Sequence, residues 1–229
     1  MQTASHTFAA HPLQYFSGVN FWSKAAQVES LVLADDLQFR TQGEGNRMRL
    51  KTNEGATWLT VPVLTKGRAG QQLKDVRIDN LGHWRAKHWK TLRCHYGRAP
   101  YFEKYADRVE KIFAREWQYL ADLNFAAFEF LRKELRLTCE VRRSTEWAIA
   151  ARGSERIIEM GRRLNRSRYL TDRANQKFLH EEKFAAAGMA VAYADFAPQP
   201  YHQQYGEFAP NLSALDLLFN EGEEASAFL

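Results

Sequence analysis

The stretch SLVLA at residues 30–34 constrains the fold of this chain more than any other feature, because it is a short apolar run enclosed by Glu29 and Asp35. Such a run, without polar alternation, is typical of a strand buried on both faces of a sheet. A second apolar run, TFAA at residues 7–10, precedes it, and the segment between the two has helical apolar spacing. This order is β-α-β, and the right-handed crossover of such units predicts parallel strands.

The next region contains a predicted hairpin. RMRLK and TWLTVPV flank the turn sequence TNEG, and apolar and charged residues alternate before it. The stretch DVRID is a candidate further strand. Three helices are predicted after it from apolar stripes at helical spacing, over residues 83–96, 101–115 and 117–136.

From Thr138 onward short strand and helix patterns alternate, which is typical of a doubly wound sheet. The sequence therefore predicts an α/β fold that is Rossmann-like, with a mostly parallel sheet, an inserted β-hairpin (about 45–65) and a helical middle region (about 83–136). The 229 residues fit a single α/β domain, 1–229, and 45% hydrophobic residues suffice for its core.

The composition also limits the function classes. Cys94 and Cys139 lie far apart without metal-type spacing, and the first residues lack the pattern of a secretion signal, so we predict a cytoplasmic location. No apolar run approaches the roughly 20 residues that a membrane-spanning helix needs. The net charge of +5 is compatible with ordinary solvated faces, with an anionic substrate or with RNA.

Polar residues follow the predicted strands in HPLQY, ADDLQF and PYHQQYGEF. In open α/β sheets the ligand crevice lies outside the carboxyl ends of the strands, so these clusters predict a small-molecule site there. The alternative is that each cluster satisfies backbone groups at its own turn. The sequence alone leaves both interpretations open.

Side-chain chemistry suggests roles within this site. His11 is a candidate general base, and Asp36 is the carboxylate favoured as its partner. Arg47 is the best candidate for binding a phosphate or carboxylate group, because a guanidinium group can donate two parallel hydrogen bonds to it. Lys87 and His88 share a polar helix face that could meet an anion. The remaining candidate substrate-binding residues are the uncharged hydrogen-bonding residues Gln14, Tyr15, Gln38 and Asn46, together with Asp35.

No metal site is predicted. His88 and His95 stand roughly 10 Å apart on a helix, and no residue at four-residue spacing completes a ligand set. The patterns GxGxxG, GxxxxGK[ST], GxSxG and HExxH are absent. The sequence names no cofactor.

Several stretches taken together resemble the WbqC-like protein family in order and spacing over nearly the whole chain: HPLQYF, LADDLQF, NRMRLKT, TWLTVPV, HWRAKHWKTLRCHYGRAPYF and PYHQQYGEFAPNLSALDLLFNEG. The strings TVPV and PNLSxxDLLFNxG are its most specific parts. Here Pro12 follows His11 directly, whereas the family is usually closer to His-Gln-Pro.

The resemblance implies a role in bacterial O-antigen or other surface-polysaccharide biosynthesis, in which an acyl or aminoacyl group is added to an amino sugar. It also implies that binding or catalysis involves the positions named above, and it adds three: Tyr201, Gln203 and Asn211.

We therefore expect a transferase whose partners are a sugar nucleotide or lipid-linked amino sugar and an acyl or aminoacyl donor. One alternative is an ATP-dependent carboxylate-activating enzyme that transfers an adenylyl group. Another is a non-enzymatic RNA-binding or scaffold protein, which rests only on the basic charge balance.

Overall fold

A parallel sheet forms the centre of the fold. The computed structural model describes residues 7–196 and 199–229. Within them, the parallel sheet has five strands in the order β5-β2-β1-β6-β7. These are β1 (Thr7–Pro12), β2 (Ser30–Ala34), β5 (Glu140–Arg143), β6 (Arg168–Asp172) and β7 (Ala190–Ala194). The predicted Rossmann-like α/β class is confirmed.

Helices lie on both faces of this sheet. They are α1 (Val19–Ala25), α2 (Trp84–Tyr96), α3 (Phe102–Ala114), α4 (Leu120–Glu134), α5 (Gly153–Arg163), α6 (Glu181–Ala186) and α7 (Ala214–Glu221). Alternate residues of the central strands enter two cores, with Ala9 and Leu31 in the larger one and Phe8 and Val32 in the smaller one. Both faces are therefore buried, as the run SLVLA predicts.

The two neighbours of β1 are paired with it to different extents. Residues Phe8 to Pro12 all pair with β2, whereas only Thr7 and Phe8 pair with β6. The strand order also reverses at β1, because β2 and β5 lie on one side and β6 and β7 on the other. The carboxyl end of β1 thus carries ladder hydrogen bonds on its β2 side only.

A separate antiparallel hairpin, β3 (Arg47–Thr52) and β4 (Gly55–Thr60), confirms the predicted one. A buried cation joins it to the chain's last segment: Lys51, 3% exposed, donates from Nζ to the Gln203 side chain at 3.2 Å and to the carbonyl oxygens of Gly206 and Glu207. These bonds satisfy an ammonium group that would be costly to bury unpaired.

One local prediction is wrong. The stretch DVRID forms isolated bridges, Val63 with Ile78 and Arg77 with Tyr119, instead of a strand. At the start of α7 the Ser213 hydroxyl accepts a hydrogen bond from the Leu215 backbone, and the Asp216 carboxylate accepts hydrogen bonds from two tyrosines.

Among the helices of residues 7–196 and 199–229, none combines the length and the apolar character needed to cross a membrane.

Close packing between α5 and β1 gives a stability prediction. A Cβ atom at Gly161 would lie 2.8 Å from the Phe8 ring and 2.3 Å from the terminal methyl group of Met189. Because Phe8 is held in the central strand, the Gly161→Ala variant should lower the free energy of unfolding by about 1–3 kcal/mol, measurable by urea denaturation. The control is Gly82→Ala, where nothing lies within 4 Å. An equal loss in both variants would contradict the packing argument.

Candidate functional site

A cavity of about 430 Å³ lies beyond the carboxyl ends of β1 and β2. Its walls come from three segments, which are residues 12–14 after β1, residues 37–40 after β2 and the loop 43–45, with Ala34 and Leu73 between them. We call it the strand-end cavity. Two of the three polar clusters predicted from the sequence, HPLQY and ADDLQF, therefore contribute to one cavity.

Gln14 and Glu44 form a polar wall of this cavity. The Gln14 amide donates from Nε2 to Glu44 Oε2 at 2.9 Å, and Gln14 Oε1 is buried without a hydrogen-bond partner among the described residues. Burial raises the pKa of the Glu44 carboxyl, against the opposing influence of Arg47, Arg49 and the Gln14 bond. This wall therefore contains a buried amide oxygen without a partner among the described residues and a partly desolvated carboxyl group.

Gln38 also lines the cavity, and its backbone is bridged to Gln72. Its side chain is exposed and has no hydrogen bond among the described residues. It is therefore available to contact a bound molecule.

His11 lies directly before the cavity wall but is not itself part of the lining. Its ring packs edge-on against Phe21 at 4.9 Å between centroids. Nδ1 lies 2.9 Å from the Pro12 carbonyl oxygen. A carbonyl only accepts, so Nδ1 carries the hydrogen and Nε2 retains its lone pair.

An ion pair accompanies His11 at the end of the sheet. Lys24, 2% exposed, binds Asp172 of β6 at 2.8 Å. Burial, and next the positive charge of Lys24, lower the pKa of His11 from 6.5 to about 3. His11 is thus neutral at pH 7.

Asp35 and Asp36 hold the segment that follows β5. Asp35, 0% exposed, accepts hydrogen bonds from Arg143 at 2.7 Å, from Ser144 and from Thr145. Asp36 is bound by Arg156 at 2.6 and 2.7 Å and by the Ser144 hydroxyl. Burial opposes ionisation of Asp36, but these hydrogen bonds outweigh it and leave its pKa lowered. Neither carboxylate bonds to His11 among the described residues.

Tyr15 and His88 form a buried chain under the hairpin. The Tyr15 hydroxyl donates to His88 Nδ1 at 3.0 Å, and His88 Nε2 donates to the Thr60 carbonyl at 3.2 Å. Burial raises the pKa of Tyr15 and lowers the pKa of His88 to about 4. The adjacent Asn46 bonds from Nδ2 to the Val61 carbonyl at 2.9 Å. These groups join β1, α2 and the hairpin, and they do not line the strand-end cavity.

The two cationic residues predicted to bind an anion, Arg47 and Lys87, do not line the strand-end cavity. Arg47 stacks on Trp58 with 4.4 Å from its guanidinium carbon to the ring centroid, and donates to the Gln42 carbonyl. Lys87 is exposed on α2 and does not line the strand-end cavity.

The third predicted cluster belongs to a separate buried network. Tyr201 and Tyr96 donate to the two Asp216 oxygens at 2.8 and 2.7 Å, and burial raises the pKa of Asp216 to about 6.

The other two predicted site residues of the last segment are Gln203 and Asn211. Gln203 binds Lys51 and both backbone groups of Ala209. Asn211 has a φ of 54° and a buried Oδ1 without a partner among the described residues. The network fixes the last segment to the hairpin.

Sequence reasoning missed Glu44 and Arg40, which also line the strand-end cavity. Glu44 stands between two glycines in GEG, and the local signal that could have identified it is that glycines are typical of a turn or loop. Nothing local distinguished Arg40 from other exposed arginines.

Comparisons with known proteins agree with the resemblance noted above. The model of the WbqC-like protein family matches residues 14–228. The chain is 29% identical over 217 residues to "Uncharacterized protein Rv1507c" of Mycobacterium tuberculosis, which covers 94% of each protein. No solved structure matches the chain.

The buried His88 predicts a pH-dependent stability. Its pKa is about 4 in the fold and 6.5 in the unfolded chain. Between these values the unfolded state binds more protons, so stability falls as the pH decreases from 6.5 towards 4. Replacing His88 by Gln should remove about 2 kcal/mol of the stability difference between pH 7.5 and pH 5, measured by urea denaturation.

The matched control for this prediction is His202→Gln, because the His202 side chain is exposed. It should leave the pH dependence as in the native protein. If His88→Gln retains the full native dependence, His88 is not the group responsible.

Proposed function

The chain belongs to the WbqC-like protein family, and from this premise we propose that it is a transferase that adds an acyl or aminoacyl group to an amino sugar used in bacterial surface-polysaccharide biosynthesis. The observation that carries the proposal is the strand-end cavity, at the carboxyl ends of β1 and β2, where open α/β sheets bind their ligands.

The size and chemistry of the cavity suit a sugar. Its volume of about 430 Å³ falls within the range of small-molecule sites, ~300–1,000 Å³. The amides of Gln14 and Gln38 can each donate to and accept from hydroxyl groups. The carboxyl group of Glu44 complements the amino group that distinguishes an amino sugar from a neutral one.

In the proposed reaction the uncharged amine of the sugar attacks the carbonyl carbon of an activated acyl donor. A C–N bond forms, and the bond between that carbon and the leaving group breaks, with its electron pair departing on the leaving group. His11 accepts the amine proton at Nε2 and passes it to the leaving group. Negative charge developing beside His11 would raise its pKa and favour this transfer.

Asp36 has a different role from the predicted one in this scheme. Its carboxylate is engaged by Arg156 and Ser144, so we propose that it positions the segment after β2 that forms one cavity wall. The neutral tautomer of His11 is instead fixed by the Pro12 carbonyl.

A second candidate, ATP-dependent carboxylate activation, is favoured by one observation. The strand order reverses at β1, and nucleotides bind such sheets at the point of reversal. In that case the ligand would lie between the ends of β1 and β6, beside Lys24 and Asp172.

The proposal predicts that substitutions of His11 and of Glu44 change different kinetic parameters. We would incubate nucleotide-linked amino sugars with acyl donors and detect the acylated sugar by mass spectrometry. His11→Ala should lower kcat by about 100-fold or more because a general base is lost. Glu44→Gln should raise KM for the sugar by about tenfold because a charged hydrogen bond is lost. Glu103→Gln, on the exposed face of α3, is the matched control.

Thermal-shift measurements on the same proteins separate folding from function, since a ligand that binds only the native state raises its stability. Native-like turnover in His11→Ala would refute the role of that residue. Stabilisation by ATP alone, together with pyrophosphate exchange, would replace the proposed reaction with carboxylate activation.

A further inference from the structure

A second, larger recess adjoins the strand-end cavity. It has a volume of about 850 Å³ and lies between residues 38–42 and residues 65–71. The two recesses share Gln38, Phe39 and Arg40 in their walls. We call the larger one the arginine groove. Because the walls are shared, one ligand can occupy both.

The arginine groove has a positive charge. Arg40 and Arg68 line it, and no aspartate or glutamate is among its lining residues within the described parts of the chain. Both arginines are exposed, and neither has an ion-pair or aromatic partner among the residues that the structure describes. In contrast, Arg143 is held by the buried Asp35 carboxylate, and Arg156 is held by the partly buried Asp36 carboxylate. The guanidinium groups of the groove are therefore available to a ligand.

The other lining groups also suit phosphate. Thr41 and Thr65 contribute hydroxyl groups. Backbone hydrogen bonds hold the two walls of the groove in place. The Phe39 N–H group donates to the Gln71 carbonyl oxygen at 2.9 Å, and the Arg68 N–H group donates to the Thr65 carbonyl oxygen at 3.0 Å. Hydroxyl groups and planar guanidinium forks on a fixed loop are the groups that bind phosphate oxygens in proteins.

We propose that the arginine groove binds a pyrophosphate group, with Arg40 and Arg68 as its ligands, and that the sugar attached to this pyrophosphate extends into the strand-end cavity. The placement of the sugar rests on the proposed function, whereas the pyrophosphate site does not. The opposite charges explain the orientation: Glu44 repels phosphate from the cavity, and the arginines repel an ammonium group from the groove.

The test is calorimetric titration of the full-length protein with inorganic pyrophosphate at low ionic strength. Arg40→Gln and Arg68→Gln should each weaken binding by about tenfold, as expected for a lost charge-assisted bond. Arg162→Gln removes the same charge from an exposed position on α5 and should leave the affinity within about twofold of native. Circular dichroism verifies that each variant is folded.

Two results would overturn the proposal. One is native affinity in both groove variants, and the other is an equal loss in Arg162→Gln, which would indicate a general charge effect. Uridine diphosphate and geranyl diphosphate then distinguish a nucleotide carrier from a polyprenyl carrier. Whichever binds more tightly than pyrophosphate identifies the source, provided that the two groove variants weaken it. Binding of neither compound counts against the site.

The outcome is separable from that of the proposed function. If Arg40 and Arg68 are required for pyrophosphate binding but no acylated sugar forms, the groove stands and the transferase assignment fails. If the acylated sugar forms equally well in both groove variants, the transferase assignment stands and the placement of its sugar substrate across the groove fails, whereas the pyrophosphate site is decided by the titration alone.

Discussion

Parallel pairing of β1 with β2 is the constraint on which the rest of the structure depends. It buries the middle of both strands, so that Phe8 and Leu31 are each 0% exposed. Polar groups can then appear only where the strands end, and parallel strands end at the same edge. The segments after β1 and β2 consequently meet, and Gln14 and Gln38 reach one cavity. The position of the candidate site is thus a consequence of sheet geometry.

Burial explains why most polar residues near this edge support the fold. A buried polar group is costly unless it is hydrogen-bonded. Asp35 accordingly collects bonds from three consecutive residues, and Asp216 collects bonds from two tyrosines. Gln14 Oε1 and the pair Arg40 and Arg68 differ, since they have no such partners among the described residues. Of these groups, the guanidinium groups of Arg40 and Arg68 are exposed and are therefore available to a ligand.

The two proposals share one physical basis, which is a separation of charge across adjoining recesses. Glu44 lies in the smaller recess and Arg40 stands at the shared wall, with Arg68 farther along the groove. A molecule with an amine at one end and a pyrophosphate at the other has the complementary distribution. An activated amino sugar, the proposed substrate, has this distribution.

The sequence by itself determined the parallel sheet, the hairpin and the helices α2 to α4, because unbroken or periodic apolar patterns depend on local spacing alone. It also identified HPLQY and ADDLQF as neighbours, through the rule for parallel strand ends. Only the tertiary structure decided which polar side chains are already hydrogen-bonded within the protein. Tyr15 bonds to a histidine 73 positions away, and Lys51 to a glutamine 152 positions away. Such contacts depend on how distant elements pack, and no local pattern encodes that packing.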